Sequence, residues 1–418
     1  MINIDIKTKI KPLTIIYLHQ YFNTPDMPGS TRSYEMARRL AAEGHTVHLI
    51  TSWREKSISE TDWRYEKISG INVHWSNVPY SNHMTFFQRI MAFFSFMVKA
   101  TLKAISIKAD VVFATSTPLT IAIPAICAAK KMGVPMVFEV RDLWPELPVA
   151  VGELKNPFLI QLARVLERCA YFFSKKIIVL SEGMKDGVVK AGISSDNVIV
   201  IPNSSDNKTF RLSFSEGKKF LTNHPYLNSG PLIVYAGTIG YIHNVEYIVD
   251  VASKMIKIAP EFRFLIIGDG KYRKKVIEKA KSLGVYKKNI WIFPPIPKQE
   301  IPVVLSAAKA VFSTTIDLPA LWHNSANKFF DALAAMKPVI INYSGWQARL
   351  IKETKAGIVI PPHDPEKAAR KIFEFVCDSQ QLDEAASAAG KLADTLFDRD
   401  ILFNRFHKTI TDAVGKRL

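Results

Sequence analysis

The sequence has little cysteine and no repetitive or low-complexity tract, and these absences exclude several classes of protein. Three cysteines occur in 418 residues, Cys127, Cys169 and Cys377, and they form neither a CxxC pair nor a metal-ligand cluster. We therefore expect a reducing compartment and no structural zinc. The absence of repeats and biased segments argues against solenoid, fibrous and disordered proteins. The first apolar run, LTIIYL, is short and predicts a β-strand, not a signal peptide.

The balance of charge is strongly basic. Lysine and arginine number 55 against 38 aspartate and glutamate residues, which gives a formal net charge of +17. Such an excess attracts polyanions: nucleic acid, anionic lipid or phosphate-rich substrates. Nucleic acid is the least favoured, because the basic residues are spread along the chain and no zinc finger or aromatic RNA-binding motif is present. We expect a membrane surface and diphosphate ligands instead.

Apolar runs of strand length alternate with amphipathic helical stretches, a rhythm typical of parallel sheets covered by helices. In the first half the predicted strands are residues 15–18, 47–51, 111–115, 134–140 and 177–180. In the second half they are residues 232–235, 262–267, 290–293, 310–313, 339–342 and 357–360, with helices at 246–258 and 271–283. The fold class is therefore α/β, with two doubly wound domains whose ligand-binding edges face each other.

A polar, irregular stretch at residues 202–231 separates the two series of strands, and we interpret it as the linker. The predicted domains are residues 1–205 and 206–395. Residues 396–418 are expected to form a C-terminal helical segment, and a crossing back to the first domain is one possible path for it.

The most informative segment is NSANKFFDALAAMKPVIIN, residues 324–342. Asn324 or Ser325 is a suitable N-cap for a helix whose first turn would attract an anion. Lys328 lies in that turn and Asp331 one turn further on, so an ammonium group could hold a diphosphate while a carboxylate accepts ribose hydroxyls. A capped amphipathic helix with a surface Lys–Asp pair explains the spacing equally well.

The segment EVRDLWPELP, residues 139–148, directly follows a predicted strand. Glu139, Arg141 and Asp142 gather charge near Trp144 at the carboxyl end of that strand, where α/β sheets bind ligands. Two interpretations fit: a group of active-site side chains, or a structural Arg–Asp pair that shields the cleft.

A glycine-containing loop follows the first strand of each half. In the first half, Gly29 belongs to a tight turn that lets backbone approach a ligand, and Arg32 adds positive charge at the start of the next helix. In the second half, Gly237 and Thr238 belong to a loop of the kind that faces phosphate.

In their order and spacing these four segments resemble the GT-B glycosyltransferases of family 4. In that family two acids separated by seven residues precede a glycine and a Pro-Val strand start. Asp331 matches the second acid, which contacts the ribose, while His323 and Met336 stand in place of the first acid and the glycine. Arg141 stands where the family often has histidine, and Thr238 where it commonly has arginine.

The resemblance implies the GT-B fold, in which two Rossmann-like domains face each other across a cleft. It implies an acceptor-binding first domain, a nucleotide-sugar-binding second domain, and transfer that retains the anomeric configuration without a metal or other cofactor. The run EVRDLWPELP resembles the subgroup from O-antigen and capsule gene clusters, which adds acetamido-deoxysugars such as N-acetyl-L-fucosamine. The expected partners are a UDP-sugar donor and a polyprenyl-diphosphate-linked saccharide acceptor of bacterial surface polysaccharide synthesis, without nucleic acid.

Carried onto this sequence, the resemblance implies two sets of site residues. The catalytic set is Glu139, Arg141 and Asp142. The donor-binding set is Gly29, Arg32, Gly237, Thr238, His323, Ser325, Asn327, Lys328 and Asp331. Because Thr238 replaces the usual arginine, Lys328, Arg32 and the helix start are expected to hold the diphosphate. Two alternatives share the architecture: a UDP-sugar 2-epimerase, and an inactive scaffold in a polysaccharide assembly complex.

Residues 84–106, MTFFQRIMAFFSFMVKATLKAIS, are mostly apolar. On a helical wheel the polar residues share about one third of the circumference, and the apolar core is well short of the ~20 residues that span a bilayer. Two interpretations fit: a helix lying in the membrane interface, or a helix packed on the first sheet. The basic charge favours the first, so we expect a cytoplasmic protein attached peripherally to the inner face of the cytoplasmic membrane.

Overall fold

The computed structural model of the chain describes residues 11–53, 62–80 and 84–415, which form two sheets covered by helices. The strands of the first sheet are β1 (Thr14–Leu18), β2 (Thr46–Trp53), β3 (Trp63–Ile68), β4 (Ile71–Asn77), β5 (Val111–Thr115), β6 (Met136–Val140), β7 (Lys176–Val179) and β8 (Val198–Val200). Within the described residues their order is β3-β4-β2-β1-β5-β6-β7-β8, and only the β3–β4 pair is antiparallel. The β3–β4 hairpin and β8 were not predicted from the sequence.

The strands of the second sheet are β9 (Leu232–Ala236), β10 (Arg263–Ile267), β11 (Ile290–Phe293), β12 (Ala310–Ser313), β13 (Val339–Ile341) and β14 (Gly357–Val359). Their order in the described chain is β11-β10-β9-β12-β13-β14, and all neighbours run parallel. The order turns back between β9 and β12, which is the point where sheets of this class bind ligands. The predicted α/β architecture with two doubly wound domains is confirmed.

Helices cover both sheets. Those of the first half are α1 (Arg32–Ala42), α2 (Phe86–Ile105), α3 (Ala122–Met132), α4 (Glu146–Ala150), α5 (Pro157–Phe172) and α6 (Glu182–Lys190). Those that follow are α7 (Asn207–Phe210), α8 (Phe214–Asn223), α9 (Val245–Ile258), α10 (Arg273–Ser282), α11 (Ile301–Ala307), α12 (Asn327–Ala334), α13 (Trp346–Thr354), α14 (Pro365–Cys377), α15 (Ser379–Thr395) and α16 (Arg399–Val414).

The stretch at residues 202–231 is not an irregular linker, and that part of the prediction was wrong. It contains α7 and α8, whose Phe210 and Leu221 are buried in the core of the second half. Gly217 lets α8 approach α11 closely, since a Cβ atom there would lie 2.5 Å from the backbone nitrogen of Ala307. The polar composition misled because these short helices bury few side chains each.

The last helix, α16, packs against the first sheet rather than the second. Leu402, Phe406 and Ile410 join the buried cluster that also contains Leu40 of α1. The ring of Phe406 meets the ring of Phe113 on β5, with their centroids 5.0 Å apart. Burial of these apolar side chains fastens the end of the chain to the half in which the chain began.

Helix α2 carries apolar residues on two opposite faces. Phe96, Ala100 and Ala104 are buried against the first sheet, so the packed-helix interpretation holds for one face. The other face leaves a row of large apolar side chains in solvent: Phe87, Met91, Phe94, Val98 and Leu102. Within the described residues, no helix combines the length and hydropathy needed to cross a bilayer.

Candidate active site

The carboxyl edges of the two sheets adjoin, because loops that follow strands in one half bond to loops in the other. The hydroxyl of Ser181, after β7, donates to the carbonyl of His323 at 2.7 Å. The backbone N–H of Gln299, after β11, donates to the carbonyl of Pro25, after β1, at 3.2 Å. A ligand between the two edges would therefore touch both halves of the molecule.

Lys328, in the first turn of α12, extends to the carboxyl end of β9. Its Nζ lies 5.0 Å from the centroid of the Tyr235 ring. Gly237 makes room for it, since a Cβ atom there would come 3.0 Å from the lysine Cε. The residue is only 8% exposed, yet within the described chain its ammonium group makes no hydrogen bond and no ion pair. A buried cation without a counter-ion is a site where an anionic ligand gains most.

Burial lowers the pKa of Lys328 to about 8, against the opposing effect of Asp331. The side chain is therefore mostly protonated at neutral pH. Burial holds the pKa of the nearby His243 well below its usual value, and the charge of Lys328 adds to this effect. The imidazole of His243 therefore stays neutral. His243 was not singled out from the sequence, because nothing in its local pattern distinguishes it.

Helix α12 begins at Asn327, the half-buried first helical residue, and Ala326 is its N-cap without a side-chain hydrogen bond. The prediction that Asn324 or Ser325 caps the helix was wrong. The hydroxyl of Ser325 instead accepts from the backbone N–H of Asn203, after β8, at 3.1 Å. The first-turn N–H groups of α12 are thus left without a side-chain cap, as an anion-binding helix start requires.

Asp331 lies at the junction of the two halves. One carboxylate oxygen accepts a hydrogen bond from Ser205, and the other pairs with the ammonium group of Lys298. Both oxygens are therefore engaged inside the chain, and a ribose hydroxyl would have to share one of them. Sequence reasoning missed Lys298, which is 33 residues away and becomes a neighbour only through the fold.

His323 packs on the first half of the chain, and its backbone carbonyl accepts a hydrogen bond from Ser181. A Cβ atom on Gly183, at the start of α6, would come within 1.8 Å of its Nδ1, so the glycine is what admits the imidazole. Burial lowers the pKa of His323. The place of the family's first acid is therefore occupied by a residue that joins the two halves.

The loop after β9 rests on the turn after β10. Gly268 adopts a φ of +155°, and a Cβ atom there would lie 1.9 Å from the carbonyl oxygen of Gly237. The Tyr235 hydroxyl donates to the carbonyl of Thr238 at 2.7 Å, and the Thr238 side chain is exposed. The glycines thus hold the loop in place beside Lys328 by close backbone packing.

In the first half, Arg32 and Glu139 form a buried ion pair. The guanidinium Nε and Nη2 of Arg32 donate to one Glu139 oxygen at 3.0 and 2.8 Å. Its remaining donors reach the carbonyls of Pro202 and Ile201 at 2.7 and 2.9 Å. The prediction that Arg32 holds the diphosphate is not supported by this geometry, because the guanidinium already has partners on all sides.

Glu139 is 0% exposed, and its second oxygen accepts from the hydroxyl of Thr115 at 2.7 Å. Burial by itself raises the pKa of Glu139, but the charge and hydrogen bonds of Arg32 and the charge of Arg141 outweigh it and hold the pKa below its usual value. The lowered pKa favours the ionised form of Glu139, which is the ion-pair partner of Arg32. The side chain has no exposed surface and is engaged by Arg32 and Thr115, so this geometry favours a positioning role over the predicted catalytic one.

Arg141 and Asp142 follow β6 and are half-buried at the carboxyl edge of the sheet. The hydroxyl of Ser30 lies 3.5 Å from the Arg141 guanidinium, and the hydroxyl of Thr117 donates to Asp142 at 3.1 Å. Burial raises the pKa of Asp142, although Arg141 and Thr117 oppose the effect. Of the predicted catalytic set, these two side chains remain accessible to a ligand.

Gly29 adopts a φ of +123°, a conformation that favours glycine. A Cβ atom there would lie 2.9 Å from the side-chain amide of Asn23, whose nitrogen donates to the carbonyl of Ser30 at 3.2 Å. The glycine therefore sets the course of the loop that leads into α1.

Known proteins resemble both halves of the chain. Residues 29–204 match the glycosyl transferase 4-like domain, and residues 223–392 match the glycosyl transferases group 1. The putative colanic acid biosynthesis glycosyl transferase WcaI of Escherichia coli is 24% identical over 68% of this chain and 72% of its own length. The probable glycosyltransferase WbjE of Pseudomonas aeruginosa is 26% identical over 69% of this chain and 71% of its own length.

Solved structures share the fold along nearly the whole chain. Anabaena HepE in complex with UDP and glucose has a TM-score of 0.73 at 16% identity, covering 96% of this chain and 100% of its own. WaaG, a glycosyltransferase involved in lipopolysaccharide biosynthesis, has a TM-score of 0.67 at 18% identity, covering 95% and 99%.

The two facing sheets and the two matched domains define a glycosyltransferase of the GT-B fold. This chain belongs to glycosyltransferase family 4 and is a transferase.

Proposed function

We propose that the protein is a retaining glycosyltransferase that moves a sugar from a UDP-linked donor to a lipid-linked saccharide in bacterial surface polysaccharide synthesis. The observation that carries the proposal is the unpaired ammonium group of Lys328 at the start of α12. The structural relative HepE, which was solved with UDP, and the sequence relative WcaI, named for colanic acid biosynthesis, support the donor and the pathway class. Retention follows from the resemblance to family 4.

In this proposal the donor diphosphate lies between Lys328 and the uncapped first turn of α12. Negative charge builds up on the diphosphate as the glycosidic bond breaks, and a fixed ammonium group with helix N–H groups stabilises that charge. Burial strengthens the interaction because little water competes for the lysine. On the other side, Asp142 and Arg141 are placed to orient the acceptor hydroxyl and the sugar.

Calorimetric titration with UDP tests the donor site. We expect Lys328→Ala to weaken UDP binding at least about tenfold, because it removes a charge-assisted contact worth about 1.5–3 kcal/mol. Lys337→Ala is the matched control, since burial also lowers the pKa of Lys337 to about 8 but its ammonium donates to the Ser306 carbonyl. Equal UDP affinity in the Lys328 variant and the wild type would reject the phosphate role.

A donor screen that measures UDP release, with membrane extract as the source of acceptor, tests the reaction itself. Release that requires both a UDP-N-acetyl sugar and the extract is the expected result. Conversion of the donor to an isomer without acceptor would identify an epimerase instead. Failure to bind UDP at all would identify an inactive scaffold.

The proposal includes peripheral contact with the inner face of the cytoplasmic membrane through the exposed face of α2. Phe87 is 70% exposed and Leu102 63%, at opposite ends of one apolar row. Such a row, on a helix already anchored by its other face, buries well in the interface of a bilayer.

Vesicle flotation tests the membrane contact. We expect Phe94→Ser with Leu102→Ser to abolish binding to phosphatidylglycerol-containing vesicles while leaving the free energy of unfolding within about 0.5 kcal/mol, because both side chains are exposed. Phe96→Ala, on the buried face, is expected to cost about 3–5 kcal/mol of stability. Unchanged vesicle binding in the double variant would reject the contact.

A further inference from the structure

Helix α5 has an exposed apolar row of its own. Phe158, Leu162, Val165 and Phe172 recur at helical spacing and all stand in solvent. Helix α3 packs against both α5 and α2, and all three helices cover the same face of the first sheet. The row on α5 therefore belongs to the same outer layer as the exposed row on α2.

Two arginines lie beside this row. Arg164 and Arg168 are one turn apart on α5, roughly a quarter to a third of a turn round the helix from the centre of the apolar row. Both are exposed, and neither makes an ion pair or hydrogen bond within the described residues. Arginine side chains at an apolar surface are suited to phosphate, which the planar guanidinium binds through two parallel hydrogen bonds.

The arginines border a cavity of about 400 Å³, within the range of small-molecule sites. Its walls come from α4, α5 and α6, and His323 of the second half lies at its edge. The charged residues that line it are Arg164, Arg168 and Lys190 among the cations, and Glu146, Glu167 and Asp186 among the acids. Lys190, like the arginines, makes no ion pair or hydrogen bond in the described part of the chain.

We propose that this cavity binds the head of the acceptor, a lipid-linked diphosphate that carries a sugar. Arg164, Arg168 and Lys190 hold the diphosphate, the neighbouring carboxylates accept hydrogen bonds from sugar hydroxyls, and the lipid follows the apolar row of α5 into the bilayer. The inference rests on the proposed function and adds the place of the acceptor. His323 connects the cavity to the segment that precedes Lys328, the proposed donor contact.

One of the carboxylates that line the cavity, Glu167, is partly protonated. Burial raises the pKa of Glu167 to about 7, a hydrogen bond from Tyr171 opposes the shift, Glu146 adds to it, and the charges of Arg168 and Arg164 oppose it. Part of the Glu167 population is therefore neutral at physiological pH. The cations at the rim are then less compensated, as a diphosphate site requires.

Farnesyl diphosphate, a short soluble prenyl diphosphate, is the probe. It is titrated by calorimetry into the whole protein with UDP present in excess, so that the donor site is occupied. We expect wild-type protein to bind it and the double variant Arg164→Ala, Arg168→Ala to bind at least tenfold more weakly. Arg405→Ala, an exposed arginine on α16 at the opposite face of the sheet, is the matched control and should leave the affinity unchanged.

Two further arms separate the sources of phosphate. Inorganic pyrophosphate that displaces farnesyl diphosphate at equal concentration would overturn the lipid part of the proposal. Loss of phosphatidylglycerol vesicle binding in the double variant, with no change for farnesyl diphosphate, would reduce the arginines to a general membrane contact and overturn the site. Equal farnesyl diphosphate affinity in the wild type and the double variant would also overturn it.

The UDP affinity of each variant keeps this proposal distinct from the proposed function. Unchanged UDP binding in the double arginine variant shows that the protein is folded and its donor site intact. If the wild type binds no UDP, the transferase proposal fails, and the farnesyl diphosphate titration without UDP still decides whether the cavity binds a lipid diphosphate.

Discussion

Each half of the molecule has a buried cation near the carboxyl edge of its sheet, and the two cations differ in whether they have a counter-ion. Arg32 is 5% exposed and is surrounded by a carboxylate and two backbone carbonyls. Lys328 is 8% exposed, and its ammonium group faces the ring of Tyr235 without a hydrogen bond or ion pair to any of the described residues. Burial is nearly the same, so the difference lies in the counter-charge.

The comparison shows what burial means for function. A buried cation that has its counter-ion holds loops together, and removing either partner leaves an uncompensated charge. A buried cation without one destabilises the empty protein and is stabilised when an anion binds. We therefore assign a structural role to Arg32 and a ligand-binding role to Lys328, and four experiments test that distinction.

The largest effect is expected from Arg32→Met. It leaves the carboxylate of Glu139 buried and unpaired, so the free energy of unfolding should fall by about 3–5 kcal/mol in denaturant titration. Arg32→Met combined with Glu139→Leu should recover most of the loss, because both charges are then gone. If the Arg32→Met variant is as stable as the wild type, the ion pair has no structural role.

Lys328→Met should change the free energy of unfolding in the opposite direction. A pKa lowered from 10.5 to about 8 means that the charged form is disfavoured in the folded state by about 3 kcal/mol, so the variant should gain up to that amount at pH 7. The unfolded chain keeps this proton up to pH 10.5, so wild-type stability should rise from pH 8 to 10.5 and the variant should lack this rise. A destabilised Lys328→Met protein would contradict the assignment.

UDP affinity should depend on pH through the same lysine. Because the ammonium form binds the diphosphate, affinity is expected to be nearly constant from about pH 7 to 8 and to weaken by up to about tenfold per pH unit above it. Lys328→Arg should bind with little pH dependence up to pH 10, since a guanidinium stays charged. Calorimetry across this range measures the effect, and a flat wild-type profile would exclude Lys328 as the titrating contact.

The smallest effect is expected from Gly237→Ala. The added Cβ atom would lie 3.0 Å from the Lys328 Cε and would displace the flexible ammonium arm, which should weaken UDP binding about threefold, under 1 kcal/mol. Gly240→Ala in the same loop has 3.6 Å to its nearest neighbour and should leave the affinity unchanged. Equal effects of the two alanines would point to the loop rather than to the lysine.

Much of the fold could be predicted from local patterns, because buried parallel strands are short apolar runs and their helices are amphipathic. The hairpin of β3 and β4 was not predicted, because Trp63–Ile68 contains no apolar run and none of its residues is buried. The helices α7 and α8 escaped because their sequence is polar and their burial depends on α11.

The site was harder to predict, because partners across the fold carry no local signal. Lys328 and Gly237 were singled out from a helix start and a loop. Arg32 and Glu139 were both predicted to be site residues. In the structure they form a buried ion pair with each other, although they are 107 residues apart. The same holds for three further predicted site residues, which contact the first half of the chain: Ser325, Asp331 and His323.

Local sequence patterns were enough to predict most of the strands and helices, and they singled out one lysine at a helix start after a run of small and polar residues. Which charges meet a partner depends instead on tertiary contacts, because these are distances of a few ångströms between segments far apart in the chain. At a buried position, the presence or absence of one counter-charge distinguishes a structural ion pair from a binding site.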